Sequence, residues 1–327
     1  MNETNATFVQ TDIDVSIHLL EIILVPNILG ISAGSVSCIF NLLTISIIAY
    51  SKQLHTKCFI LLGANAFANL LIGAGYLVID SLRVYRYIEG HGEVGDTWGC
   101  FKAMAVIVFA QPFSIGMNTA LVIERLLATF CSIKYKQWSF CRVTIPLILL
   151  ALIFAHGQVA LHLYDSWEHG NQVLLGCGMD DTVRPTSLAV LTGVQIATMS
   201  IVILLHAVLV YGVWRHKKKF QVTTANQTNE TIRREMAKLE ADMKFVKAIS
   251  AIVITHVLII CARFVVLLMK LWASDDSRVV ANRCSGLVVV MTSTIDFFLL
   301  MFMSSRFRFA AKKLFRVKSP SVVPFGS

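Results

Sequence analysis

Charge is what this sequence has least of. Of its 327 residues, 15% are Asp, Glu, Lys or Arg and 56% are hydrophobic, with a mean hydropathy of +0.68. Soluble domains carry about 25% charged residues, so the surplus apolar surface must face something other than water. Proline is scarce too, with 6 in the chain, and no internal repeat is visible. A secondary transporter, built from two related halves with correspondingly broken helices, needs both. No Gly-rich phosphate loop and no zinc-spaced Cys/His set interrupts the pattern, so no cofactor or metal is expected. The His and Asp residues are scattered, not gathered as a catalytic set requires, and no enzyme activity is expected.

What is present is hydrocarbon-compatible length. Seven apolar stretches run at about 22–50, 58–82, 98–131, 143–163, 186–214, 245–271 and 284–304. Each reaches the ~20 residues that a helix needs to cross ~30 Å of bilayer core. Strands of a membrane barrel are half as long and alternate polar with apolar, which these do not. The expected fold is an all-α bundle of seven membrane-spanning helices. The first stretch lacks a basic n-region and a small-residue cleavage site, so it reads as a retained helix, not a removable signal.

Charge placement sets the orientation. With the N-terminus outside, segments 51–57, 126–142, 215–247 and 306–327 are cytoplasmic and hold 20 Lys and Arg. The opposite segments, 1–21, 83–102, 164–185 and 270–283, hold 7. That asymmetry places the C-terminus inside. The net charge of +9 then belongs against the anionic cytoplasmic leaflet, not on nucleic acid. Asn2-Glu3-Thr4 and Asn5-Ala6-Thr7 would lie outside as glycan acceptors, whereas the sequons at Asn226 and Asn229 would lie inside and stay unmodified.

Two constellations stand out. Cys100 opens the third stretch and Cys177 lies in the outer loop between the fourth and fifth. Both would face the oxidising side, where a disulfide would staple that loop to the bundle; the alternative is two free thiols. The remaining cysteines read as small apolar fillers, with Cys58, Cys131 and Cys141 as candidate acylation sites. Glu124-Arg125-Leu126 closes the third stretch on the inner side. Adjacent opposite charges at a membrane boundary must pair, snorkel or work.

The interval from Cys100 to Arg125 is 25 residues. It resembles the third helix of rhodopsin-like G-protein-coupled receptors, which opens on a disulfide Cys and ends in Asp/Glu-Arg-Tyr. Other landmarks resemble that family in register. Asn41 matches its first-helix Asn, and Asn65-Ala66-Phe67-Ala68-Asn69-Leu70-Leu71 its second-helix pattern with Asn69 in place of Asp. Asp296-Phe297-Phe298-Leu299-Leu300 stands where N/D-P-x-x-Y belongs, with Phe297 for Pro and Leu300 for Tyr. The basic, amphipathic run from Arg306 to Phe315 resembles the short interfacial helix after the seventh span. Helix six departs from the pattern: Cys261-Ala262-Arg263-Phe264 replaces C-W-x-P. Asn69 for Asp also argues against sodium modulation. Gln111-Pro112-Phe113 through Leu127-Ala128, followed by Lys134-Tyr135, resembles the nematode serpentine chemoreceptors, class SX nearest.

The resemblance implies an organisation of extracellular N-terminus 1–21, receptor domain 22–305, interfacial helix 306–316 and cytoplasmic tail 317–327. It implies a receptor for an odorant or pheromone-like small molecule, coupled to a heterotrimeric G protein, in the plasma membrane and specifically the ciliary membrane of sensory neurons. Arg125 would pair with Glu124 at rest. Tyr211 would meet Arg125 in the active form, or else serve as an interfacial aromatic. Asp296 would belong to the activation switch. Ligand-binding candidates are buried polar groups in the outer halves of the helices: Asp80, Arg83, His162, Gln195 and Arg263. Arg263 would bind an anionic ligand or pair with Asp80. His156, His206 and His256 read as interhelical hydrogen-bonding groups. The rival class, a ligand-gated channel with its N-terminus inside, runs against the charge count.

Overall fold

The computed structural model describes residues 24–89, 94–168, 173–175, 182–224 and 275–315, with scattered helical positions between 250 and 261. Eight helices follow one another in these segments: α1 Val25–Tyr50, α2 Lys57–Ile88, α3 Thr97–Phe130, the short α4 Ser132–Gln137, α5 Phe140–Glu168, α6 Pro185–Thr224, α7 Asp275–Met303 and α8 Ser305–Phe315. Among them α1, α2, α3, α5, residues 186–215 of α6 and residues 286–303 of α7 are long and apolar enough to cross a membrane. The stretch at 245–271 lies largely outside the described residues, as do Asn2 and Asn5.

The helices outrun their apolar stretches. α6 continues to Thr224 and α7 starts at Asp275. Backbone hydrogen bonding carries on past the hydrocarbon-compatible part, because polar residues that would be costly in lipid propagate a helix well in water. Two short strands, β1 Val94–Asp96 and β2 Val173–Leu175, pair antiparallel with Val94 opposite Leu175 and Asp96 opposite Val173. This ribbon is an addition in the connections to an otherwise all-α bundle, as expected of the fold. Both strands sit in connecting segments, where main-chain groups without a helix must find partners elsewhere.

On α1, burial is inverted relative to a soluble bundle. The inward face of α1 is Asn27, Gly30, Gly34, Ser37, Asn41, Thr44 and Ile48, at helical spacing, while Ile28, Leu29, Val36, Ile39 and Leu42 point outward. Lipid tails are as apolar as leucine, so small and polar residues gather between helices and bulky ones face the bilayer. Small residues set the α1–α2 approach: a Cβ on Gly34 would stand 2.8 Å from the Gly73 carbonyl oxygen. α3 is the most buried of the spans and packs against α2, α5 and α6. At the far end of α7 the chain turns at Ser304 into α8. There Phe307, Ala310 and Ala311 are buried while Phe309, Lys312, Lys313 and Phe315 are exposed. Phe307 seats edge-on against Phe297, which in turn packs at a tilt against Phe40 of α1.

Candidate functional site

The end of α3 carries the most concentrated electrostatics. Glu124 is fully buried, and Arg125 wraps back onto it, Nε donating to Oε2 at 2.5 Å and Nη2 to Oε1 at 2.6 Å. α3 stops at Cys131 and the chain turns straight into α4, which returns Tyr135 to the same carboxylate; its hydroxyl donates to Glu124 Oε1. A buried carboxylate is tolerable only with its lone pairs filled, and three donors fill these. Burial and the bond to Glu124 push the Tyr135 phenol above its ordinary value. Lys57, at the start of α2, fixes α4 in turn. Its Nζ donates to the carbonyls of Tyr135 at 2.8 Å and Trp138 at 2.7 Å, and lies 4.1 Å from the centre of the Tyr135 ring. A cation at the C-terminal carbonyls of a helix is favourably placed. Glu124 and Arg125 stand out in the sequence, whereas Tyr135 figures there only as part of the family resemblance and Lys57 not at all. The signal was there: a Lys and a Tyr flanking the boundaries of adjacent spans.

Halfway along the bundle the polar landmarks from four helices converge. Asn65 and Asn69 of α2 donate to Asp296 Oδ2 of α7 at 3.4 and 3.1 Å, and Ser114 of α3 donates to the Asn65 and Asn69 carbonyl oxygens at 3.1 and 2.9 Å. Asn41 of α1 donates to the Ser37 carbonyl at 2.9 Å and the Ser293 carbonyl at 3.3 Å, and the Ser37 and Ser293 hydroxyls lie 2.5 Å apart. Asn65 and Asn69, set far from Asp296 in the chain, therefore share one network with it and Ser114, and Asn41 forms a second with Ser37 and Ser293. The three serines were not anticipated, although hydroxyls inside otherwise apolar stretches are the signal to look for.

The ligand candidates fall into two groups. Asp80 ion-pairs with Arg83, three residues along its own helix, at 2.7 Å. That pair sits beside α1, where a Cβ on Gly30 would overlap the Asp80 carboxylate. The partner expected for Asp80, Arg263, lies outside the described residues. On the other side, Gln195 of α6 donates to Gln158 Oε1 of α5 at 3.0 Å, and His162 Nδ1 stands 3.5 Å from the Thr182 hydroxyl. Near His162, Ser166 donates to the Thr182 carbonyl at 2.9 Å and Arg184 bonds Asp165 and Glu168, so the turn into α6 is pinned onto the end of α5.

Tyr211 is exposed on α6 with its ring beside Trp214, the placement of an interfacial aromatic. His156 bonds the Leu152 carbonyl of its own helix and meets Phe109 edge-on, so it makes no interhelical hydrogen bond there; His206 does reach across, to Ser250 at 2.6 Å. His256 lies outside the described residues. Cys58 is buried, out of reach of an acylating enzyme, whereas Cys141 is exposed. Cys100 is disulfide-bonded; Cys177, two residues beyond β2, lies outside the described residues.

Apolar helices of spanning length, with an arginine folded onto its neighbouring acid where α3 ends, define a multi-pass membrane protein. The chain belongs to the serpentine type 7TM GPCR chemoreceptor family Srsx, whose pattern it matches over residues 35–315. It is also similar to G-protein coupled receptor 3 of Homo sapiens, 28% identical over 194 residues, and of Rattus norvegicus, 27% identical. Those alignments cover 59% of this chain and 55% of each relative, so the chain spans about half the length of the curated relatives it matches.

Proposed function

We propose that this G-protein-coupled chemoreceptor detects an odorant or pheromone-like small molecule at the outer ends of its helices and signals through a heterotrimeric G protein. The observation that carries this reading is the clasp of Arg125 and Tyr135 on Glu124. In the resting receptor the guanidinium is spent on its neighbour. Ligand binding shifts the population toward a form in which Arg125 leaves Glu124 and the inner end opens to the G-protein α-subunit. The chain crosses the membrane seven times, residues 245–271 supplying the remaining span, with the N-terminus outside and α8 lying on the cytoplasmic face. The positive-inside bias and the basic face of α8 support that orientation. Cys100 pairs with Cys177, Asn2 and Asn5 carry glycans, and the receptor resides in the plasma membrane, in cilia where its cell has them.

Asp80, Arg83, His162, Gln195 and Arg263 are the groups proposed to meet the ligand. The test is expression in a heterologous cell with a calcium or cAMP readout, challenged with volatile and pheromone-like compounds. A response abolished by Arg125→Ala at unchanged surface level is the expected result. Ligand-evoked current that persists without any G protein would make the protein a channel instead.

A further inference from the structure

A cavity of about 230 Å³ opens between α3, α5 and α6, lined by Gly116, Thr119 and Ile123 of α3, Leu150 and Phe154 of α5, and Thr198 of α6. It is several times the ~30 Å³ that one water occupies, and apolar cavities of ~150 Å³ stay dry and admit apolar guests. Water has little to bond to here. The two hydroxyls in the lining already donate, Thr119 to the Ile115 carbonyl at 3.0 Å and Thr198 to the Val194 carbonyl at 2.8 Å, which leaves only their acceptor lone pairs. Gly116 closes one wall: a Cβ there would stand 2.9 Å from Ala151 Cα, so α3 and α5 touch at that level. Leu150 lines the cavity yet is 57% exposed, so the mouth faces the bilayer.

The chain that joins α3 to α5 is cationic. Arg142 stands five residues before the lining residue Leu147, about 7 Å along the helix, and Lys134 and Lys136 sit on α4; all three are exposed. Among the described residues from Leu126 to Arg142 no acidic side chain offsets them. Hydrocarbon above and positive charge below match the two ends of one molecule.

We propose that this cavity holds one acyl chain of an anionic phospholipid, whose headgroup rests on Arg142, Lys134 and Lys136. The assignment rests on the receptor orientation given above, which puts this connection at the cytoplasmic leaflet. The site lies apart from the groups proposed to meet the chemosensory ligand.

The test uses the full-length receptor in nanodiscs, labelled with phosphatidylserine carrying a photoreactive diazirine in one acyl chain, against a phosphatidylcholine probe with the same chain. Nanodiscs present the same lipid on both faces, so the result does not depend on which end of the receptor is inside the cell. The expected result is label concentrated on peptides containing 116–123 and 147–154, several-fold stronger from the serine lipid. Leu150→Trp and, separately, Thr198→Phe should remove it, and Arg142→Gln should abolish the preference for the serine lipid. Thermal midpoints at the wild-type value show that loss of label in either filling variant is not loss of fold. Label spread evenly over the outward faces of α1 and α5, label that survives both filling variants, or equal label from the two probes would overturn the proposal.

Discussion

Replacing Tyr135 by Phe removes a single hydroxyl from the inner end of the receptor and should raise its activity in the absence of ligand. The hydroxyl donates to Glu124, a carboxylate with no exposure to solvent. Hydrogen bonds to charged groups contribute about 1.5–3 kcal/mol, and because Tyr135 itself is half-buried the lower end applies. On the mechanism proposed above, the clasp forms only while Arg125 is folded back, so the whole loss falls on the resting state. At ~1.4 kcal/mol per tenfold, the balance moves about tenfold toward the active form. A receptor active about 1% of the time without ligand then becomes active about 10% of the time. The assay is basal nucleotide exchange on the G protein, divided by surface receptor counted with an extracellular epitope. Glu124→Gln, which removes the charge itself, should do at least as much. Unchanged basal exchange in Tyr135→Phe at normal surface density would refute the reasoning, because the clasp would then exist equally in both states.

Lys57→Met takes away the cation at the carbonyls of Tyr135 and Trp138. That contact contributes about 0.3–1 kcal/mol, so basal exchange should rise about two- to fivefold, and Lys57→Arg should restore the resting level. Asp296→Ala strands the Asn65 and Asn69 amides inside the bundle and should cost about 1–3 kcal/mol, read as a lowered midpoint in thermal denaturation of the purified receptor. An unchanged midpoint would show that those amides find other acceptors. Gly34→Leu drives a side chain into the Gly73 carbonyl at a 2.8 Å approach, and should eliminate surface expression, with Gly34→Ala intermediate. Wild-type surface levels of the leucine variant would mean that α1 and α2 are not held at this spacing.

Much of the bundle was legible because hydropathy and helix length are local properties: a run such as 143–163 announces a span without reference to anything else. The ends were less legible, since a helix stops where its capping and loop contacts stop, not where its hydrophobicity does. The site divides along the same line. The pairing of Arg125 with Glu124 needs only adjacency. Tyr135 is eleven residues away, and its arrival depends on the break at Cys131 and the direction in which α4 leaves it, neither of which hydropathy encodes. The same holds for Asp80, whose neighbour Arg83 is visible at helical spacing once the helix is known to continue to Ile88, six residues past the apolar stretch. Asn65, Asn69 and Asp296 could be picked out singly as polar residues among apolar ones. That Ser114 would bridge the two asparagines depends on the rotation of α3, which is a property of packing.

The central network also has a consequence for how the receptor is made. Asn65 and Asn69 enter the membrane with the second span, but their acceptor Asp296 comes 231 and 227 residues later, on the last one. Asn41 bonds the Ser37 carbonyl of its own helix and needs no later span for that contact, whereas the Asn65 and Asn69 amides gain Asp296 only when α7 is in place. A chain interrupted before α7 therefore holds those two amides in the bilayer without the carboxylate that they bond in the finished bundle.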